Sequence, residues 1–218
     1  GYMKQKVCMV GLASGLVLGT LGYTHCSIED VGVLRSIPNI TIISPSDSLE
    51  TVKAVNASLN HPNSVYIRLT GGSPNPKVYK EDYKFEIGKG VTLVEGEDIV
   101  IISCGATVKT CIDVSIELKE KNNIEAKVIN MHTIKPIDLE ILGELKDSNK
   151  LIVTIEEHNI IGGLGSAVAE GLSKLNKNIK QLTLGHPDDY GKGGEYNFLK
   201  EKYGLSKENI INEILKNI

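Results

Sequence analysis

The residues best placed by type and spacing to do chemistry lie in the run Gly22-Tyr23-Thr24-His25-Cys26-Ser27-Ile28-Glu29-Asp30. An imidazole changes charge close to neutral pH, so a histidine held on a loop can take or give a proton. Gly11, Gly15, Gly19 and Gly22 precede His25, and glycines let a backbone approach a ligand closely. The bland reading is a solvated loop histidine. Cys26 beside His25 could be a thiolate stabilised by an imidazolium, although adjacent side chains often point apart. Arg68 ends an apolar stretch. Its bland reading is a strand-end ion pair with Glu29 or Asp30.

Other clusters are read structurally. Gly162-Gly163-Leu164-Gly165-Ser166 opens a helix and could cradle a phosphate at its N-terminus, but it lacks the lysine and spacing of a P-loop. Tight packing of helix on sheet is the simpler reason for it. Glu156-Glu157-His158 holds plausible metal ligands with no further ligand at helical spacing, so no metal is assigned. His61, His132 and His186 are read as loop or structural residues. Gly185 to Gly194 is a polar loop, mobile or at an interface, with no chemistry assigned. Cys8, Cys104 and Cys111 sit among apolar residues and are expected to be buried small hydrophobes.

The elements that must position these residues alternate along the chain, as in α/β folds with largely parallel sheets. Lys6-Val10 reads as the first strand and Glu29-Ile37 as a helix closed by Pro38. Ile40-Ile43 is a short buried strand. Asp47-x-x-Glu50 has capping-box spacing, and the helix behind it is expected to bury Val52, Val55 and Leu59. Ser64-Leu69 closes this unit. Residues 71–90 begin with the breakers Gly71 to Pro76 and read as a lysine-rich linker with one edge strand near Lys84-Ile87. A second unit follows from Val91. Its strands are Asp98-Ser103, Glu125-Ile129, Lys150-Ile155 and Ile179-Leu184. Its helices are Thr107-Lys121, Asp138-Leu145, Ser166-Leu175 and Glu208-Ile218.

With 218 residues, one large or two small domains can each bury a core. Net charge is -3 and 23% of residues are charged, which gives no electrostatic case for nucleic acid or a membrane surface. No apolar run approaches the roughly 20 residues that span a bilayer. The four cysteines match no zinc or Cys-x-x-Cys spacing, as expected of a reduced, cytoplasmic protein.

The run Gly22-x-Thr24-His25-x-x-x-Glu29-Asp30 resembles a segment of the transketolase and deoxyxylulose-phosphate synthase family, whose enzymes use thiamine diphosphate. Arg35-x-x-Pro38, then Pro45-x-Asp47, Ser64-Leu69, Val128-Asp138, Thr154-Gly165 and Tyr203-Gly204-Leu205 follow in the family's order, so the likeness covers nearly the whole chain. The resemblance implies an α/β fold. Residues 1–70 would be the C-terminal portion of a pyrimidine-binding thiamine-fold domain, and 71–90 the linker. Residues 91–218 would be a transketolase C-terminal-like domain with a mostly parallel sheet. It implies that His25 faces the cofactor's aminopyrimidine and the donor hydroxyl, with proton transfer as its role, and that Arg68 binds the sugar phosphate.

There are departures. Leu21 stands where transketolases acting on aldose phosphates carry an acidic residue, and Ala13 or Ser14 where they often carry a histidine. The glutamate that hydrogen-bonds the pyrimidine, and the Gly-Asp-Gly…Asn pattern that holds diphosphate and Mg2+, have no counterpart in this sequence. The expectation is therefore a C-terminal part or subunit of a ketol-transferring enzyme. It would bind thiamine diphosphate and Mg2+ only in the complete assembly and be inactive alone. Its expected partners are an N-terminal transketolase subunit or missing segment and further copies of itself. The alternatives are a non-catalytic assembly or regulatory module, or the β-subunit portion of a thiamine-dependent 2-oxoacid dehydrogenase.

Overall fold

The computed structural model describes residues 1–71 and 76–218. In chain order the strands are β1 (Cys8–Gly11), β2 (Ile40–Ile43), β3 (Ser64–Arg68), β4 (Val91–Val94), β5 (Ile99–Ser103), β6 (Ala126–Asn130), β7 (Thr133–Lys135), β8 (Leu151–Asn159) and β9 (Gln181–His186). The helices are α1 (Asp30–Arg35), α2 (Ser48–Asn60), α3 (Thr107–Asn122), α4 (Leu139–Gly143), α5 (Leu164–Lys174), α6 (Tyr196–Lys202) and α7 (Lys207–Asn217).

The strands form two sheets, ordered β1-β3-β2-β7 and β4-β6-β5-β8-β9. Pairing is parallel except where β7 meets β2 and β4 meets β6. β7 is an unexpected element: the C-terminal half of the chain contributes the last strand of the first sheet, with Ile43 opposite Thr133. The two halves are therefore joined through backbone hydrogen bonds as well as side chains.

The continuous apolar run of β5 follows from burial on both faces. Ile99 and Ile101 pack with Cys111, Leu118, Ile210 and Ile214 of α3 and α7, whereas Val100 and Ile102 pack with Val168 and Leu172 of α5. These four apolar side chains of β5 are fully buried, each worth roughly 1.5–3 kcal/mol relative to exposure. The second cluster also takes in Val31, Ile42 and Tyr66 from the first unit, and the first takes in Leu16, Cys26 and Ile28 from the loop that carries His25.

Several expectations need correction. α2 turns Glu50, Ala54 and Ser58 inward, while Val52 and Leu59 are 59% and 62% exposed. The inward face is set by a buried polar cluster. Asp47 Oδ1 caps Glu50 N at 2.9 Å, and Glu50 accepts from Ser46 N (2.6 Å), Asn130 Nδ2 (2.9 Å) and Tyr79 Oη (3.1 Å). The linker is accordingly held down. Val78 N and Tyr79 N both donate to Asp47 Oδ2 at 2.9 Å, and Phe85 and Ile87 pack beneath α2, so no edge strand forms there. Residues 72–75 of the breaker cluster lie outside the described residues. β8 runs four residues beyond Ile155, carrying Glu156, Glu157 and His158 into the interior. Cys8 is exposed on the outer strand β1, whereas Cys26, Cys104 and Cys111 are buried.

Candidate functional site

The His25 loop is anchored at both ends and tightly wound in the middle. Leu16 and Ile28 are inserted in the core, and Gly15 N donates to Ser27 O at 2.8 Å, closing the loop's base. Two single-turn 3-10 helices, Gly19–Leu21 and Tyr23–His25, meet at Gly22. Gly22 sits at φ +89°, a region that favours glycine because a Cβ is strained there. His25 N donates to Gly22 O (3.0 Å) and Cys26 N to Tyr23 O (3.1 Å). The His25 side chain faces solvent, with Thr24 Oγ1 at 3.1 Å from its Nδ1. Leu21, at the end of the first of these helices, is 60% exposed.

The pair Glu29-Asp30 divides its labour. Glu29 points outward, accepting from Ile28 N and from Tyr190 Oη, both at 3.0 Å. Asp30 points inward, where Arg68 Nε donates to both its oxygens (2.9 and 3.1 Å) and Tyr66 Oη to one (2.7 Å). Burial raises the Asp30 carboxyl, but the Arg68 guanidinium and the Tyr66 hydroxyl outweigh it and hold the group below the usual carboxylate range.

Arg68 is 4% exposed, and its Nη2 donates to Ser27 O and Glu157 O at 2.9 Å each. A fork so engaged is a brace at the foot of the His25 loop. Glu157 completes the brace, accepting from Leu16 N (3.3 Å) and from the Tyr196 hydroxyl.

The other candidates resolve structurally. Glu156 accepts from Leu164 N (2.7 Å) and Gly165 N (2.8 Å), so the protein's own carboxylate fills the N-terminus of α5. His158 accepts from Gly32 N (3.2 Å) through Nε2 and donates to Asn159 O (2.7 Å) through Nδ1. Burial pushes the Cys26 thiol up, with Glu157 and Glu29 adding to it, so a thiolate beside His25 is disfavoured. Among the described residues no group of three or more His, Cys, Asp and Glu side chains is arranged to hold a metal ion. The exposed imidazole fits one side of a ligand.

Tyr196 is not singled out by the sequence, while Tyr23, Glu157, His186 and Tyr190 enter it within runs to which no supporting role is assigned. The second glycine cluster, Gly191-x-Gly193-Gly194, was the available signal, since it marks another place where backbones come close.

A parallel α/β unit feeding a glycine-framed loop with an exposed histidine, joined to a second α/β unit, defines the class. The profile of the transketolase pyrimidine binding domain matches residues 1–75, and that of the transketolase C-terminal domain matches 88–210. An apulose-4-phosphate transketolase subunit from Phocaeicola vulgatus is 36% identical over 99% of this chain and 68% of its own length. A 1-deoxy-D-xylulose-5-phosphate synthase of Caldanaerobacter subterraneus is 36% identical over 92% of this chain and 32% of its own length. A solved split-gene transketolase, described as an inactive beta4 tetramer, superposes with a TM-score of 0.87 at 34% identity, covering 99% of this chain and 67% of that one. The chain belongs to the transketolase family and is a C-terminal portion of a transketolase-like enzyme, spanning about two thirds of the length of the split relatives it matches.

Proposed function

We propose that this chain presents His25 to thiamine diphosphate held largely by an N-terminal transketolase section, in an assembly that transfers a ketol unit between sugar phosphates. The carrying observation is the geometry of the turn. His25 is exposed on a backbone pinned from within by Asp30–Arg68 and from without by Glu29–Tyr190. When bound, the cofactor supplies carbanion stabilisation. The chain's own contribution is to hold an imidazole where it can donate a hydrogen bond and move a proton at the substrate hydroxyl. Mg2+ would be held with the cofactor by the partner section.

The surface supports a partner. β1 is an edge strand of the first sheet, and Val10, Leu12 and Leu59 are exposed nearby or on the adjoining helix, at 50%, 73% and 62%. Unpaired edges and apolar surface of this kind are normally covered. Further copies of the chain are part of the same reading, as is a cytoplasmic location. No described helix is long and apolar enough to cross a membrane.

The test is calorimetric titration with thiamine diphosphate and Mg2+. The chain alone should show no saturable binding, and the mixture with an N-terminal transketolase section should bind. Saturable binding by the chain alone would contradict the division of the site. A non-catalytic module is the second reading, favoured by Leu21, four positions before His25, where the resemblance calls for an acidic residue. Failure of every N-terminal section to restore transfer would support it.

A further inference from the structure

Two loops distant in sequence interlock around the His25 turn. One is Gly19 to Cys26; the other leaves β9 at His186 and runs to Glu195. Gly194 N donates to Gly19 O at 2.9 Å. A Cβ at Gly193 would lie 2.6 Å from Gly19 O and 2.9 Å from Gly22 Cα, so glycine is required for the two backbones to meet.

The contact is locked by side chains. The Tyr23 hydroxyl meets His186 Nε2. His186 is fully buried, and its Nδ1 lies 2.8 Å from Pro187 O. A carbonyl only accepts, so Nδ1 carries the proton and Nε2 is the acceptor for Tyr23. Aromatic rings enclose the pair. Tyr203 lies 4.2 Å from the His186 ring, and Tyr203 and Tyr190 each meet Tyr23 edge-on at 6.4 Å. The Tyr190 hydroxyl then returns to Glu29. Tyr23 and Glu29, on either side of His25, are thus both fixed from the loop after β9.

We propose that His186 is a positioning residue for His25: by accepting from Tyr23 inside this aromatic cage, it sets the turn that aims the imidazole. The C-terminal unit therefore takes part in the site through orientation, without touching substrate. This inference rests on the role proposed for His25 above.

Three variants separate the possibilities. His186→Phe keeps the ring's bulk and removes the acceptor, Tyr23→Phe removes the donor, and His186→Gln keeps an acceptor. Hydrogen exchange at the His25 and Cys26 amides, whose bonds to Gly22 O and Tyr23 O define the turn, is read in the full chain. In the complete assembly kcat and KM are read separately. Exchange should rise about tenfold in His186→Phe and Tyr23→Phe, as loss of one hydrogen bond allows. The kcat of both should fall with KM little changed, and His186→Gln should restore both readouts. Should one Phe variant fail to fold, the other carries the comparison. Unchanged exchange in the Phe variants would overturn the inference whatever the activity. So would raised exchange with undiminished kcat in an assembly that His25→Ala inactivates. If His25→Ala leaves activity intact, the proposed function falls instead, and the exchange arm still decides whether His186 sets the turn.

Discussion

Arg68 Nε lies 2.9 Å from Asp30 Oδ2, and the two side chains join the end of β3 to the start of α1 directly beneath the His25 loop. The charges are buried together and satisfied by Tyr66, Ser27 and Glu157. Removing one partner of such a pair strands the other. Arg68→Met should therefore cost about 3–5 kcal/mol, measured by denaturant unfolding. Adding Asp30→Asn to Arg68→Met should recover part of that loss. A near-neutral Arg68→Met, coupled to weakened phosphate affinity in the assembly, would return Arg68 to the phosphate role.

The register of α2 can be tested by one residue on each face. Ala54 is fully buried and Leu59 is 62% exposed. Ala54→Glu should destabilise by more than about 3 kcal/mol, because a carboxylate would enter an apolar pocket unpaired. Leu59→Glu should stay within about 0.5 kcal/mol of the parent, as ordinary surface changes do. Thermal unfolding of the two variants checks both.

The thiols should react in order of burial. Cys8 is exposed, whereas burial pushes the Cys104 and Cys111 thiols up to about 12. In native protein at pH 8, Cys8 should react rapidly with a thiol reagent. Cys104 and Cys111 should react only on unfolding, because the thiolate is the nucleophile. Rapid native labelling of Cys111, read by peptide mass, would contradict the core described here.

Stability should fall on mild acidification. Burial lowers both His132 and His186 below the ordinary histidine value of 6.5. A group that protonates more readily when unfolded stabilises the unfolded state as pH drops. Stability should be full above about 6.5 and decline as pH falls from there towards the lowered native values. Denaturant midpoints between pH 8 and pH 5 measure this, and His186→Gln should flatten the slope.

Much of the scaffold could be read from residues alone. Ile40–Ile43 is a strand with the expected bounds, and the run Ile99 to Ile102 lies in a strand with both faces covered, because unbroken β-branched runs suit such strands. The sequence reading ends this strand at Ile155, whereas β8 carries on through Glu156 and Glu157 to Asn159. Their solvation is replaced by backbone amides from Leu164, Gly165 and Leu16, which no local pattern reveals. The face of α2 was misjudged because its core-facing residue is a carboxylate, Glu50, held by Asn130 from 80 residues away. The exposed turn with His25 was legible through its glycines. Of its supports, the ion pair of Arg68 with Asp30, 38 residues apart, is among the readings the sequence offers for Arg68, whereas the contact of Glu29 with Tyr190, 161 residues on, is not legible there.

The most direct test of the central claim is ketol transfer by this chain reconstituted with an N-terminal transketolase section, thiamine diphosphate and Mg2+, with and without His25→Ala. Transfer should require both parts. His25→Ala should fold normally, because the residue is exposed, and should lose about 100-fold or more in rate, the scale of a lost proton-transfer group. An undiminished rate in His25→Ala, with the assembly intact, would contradict the account.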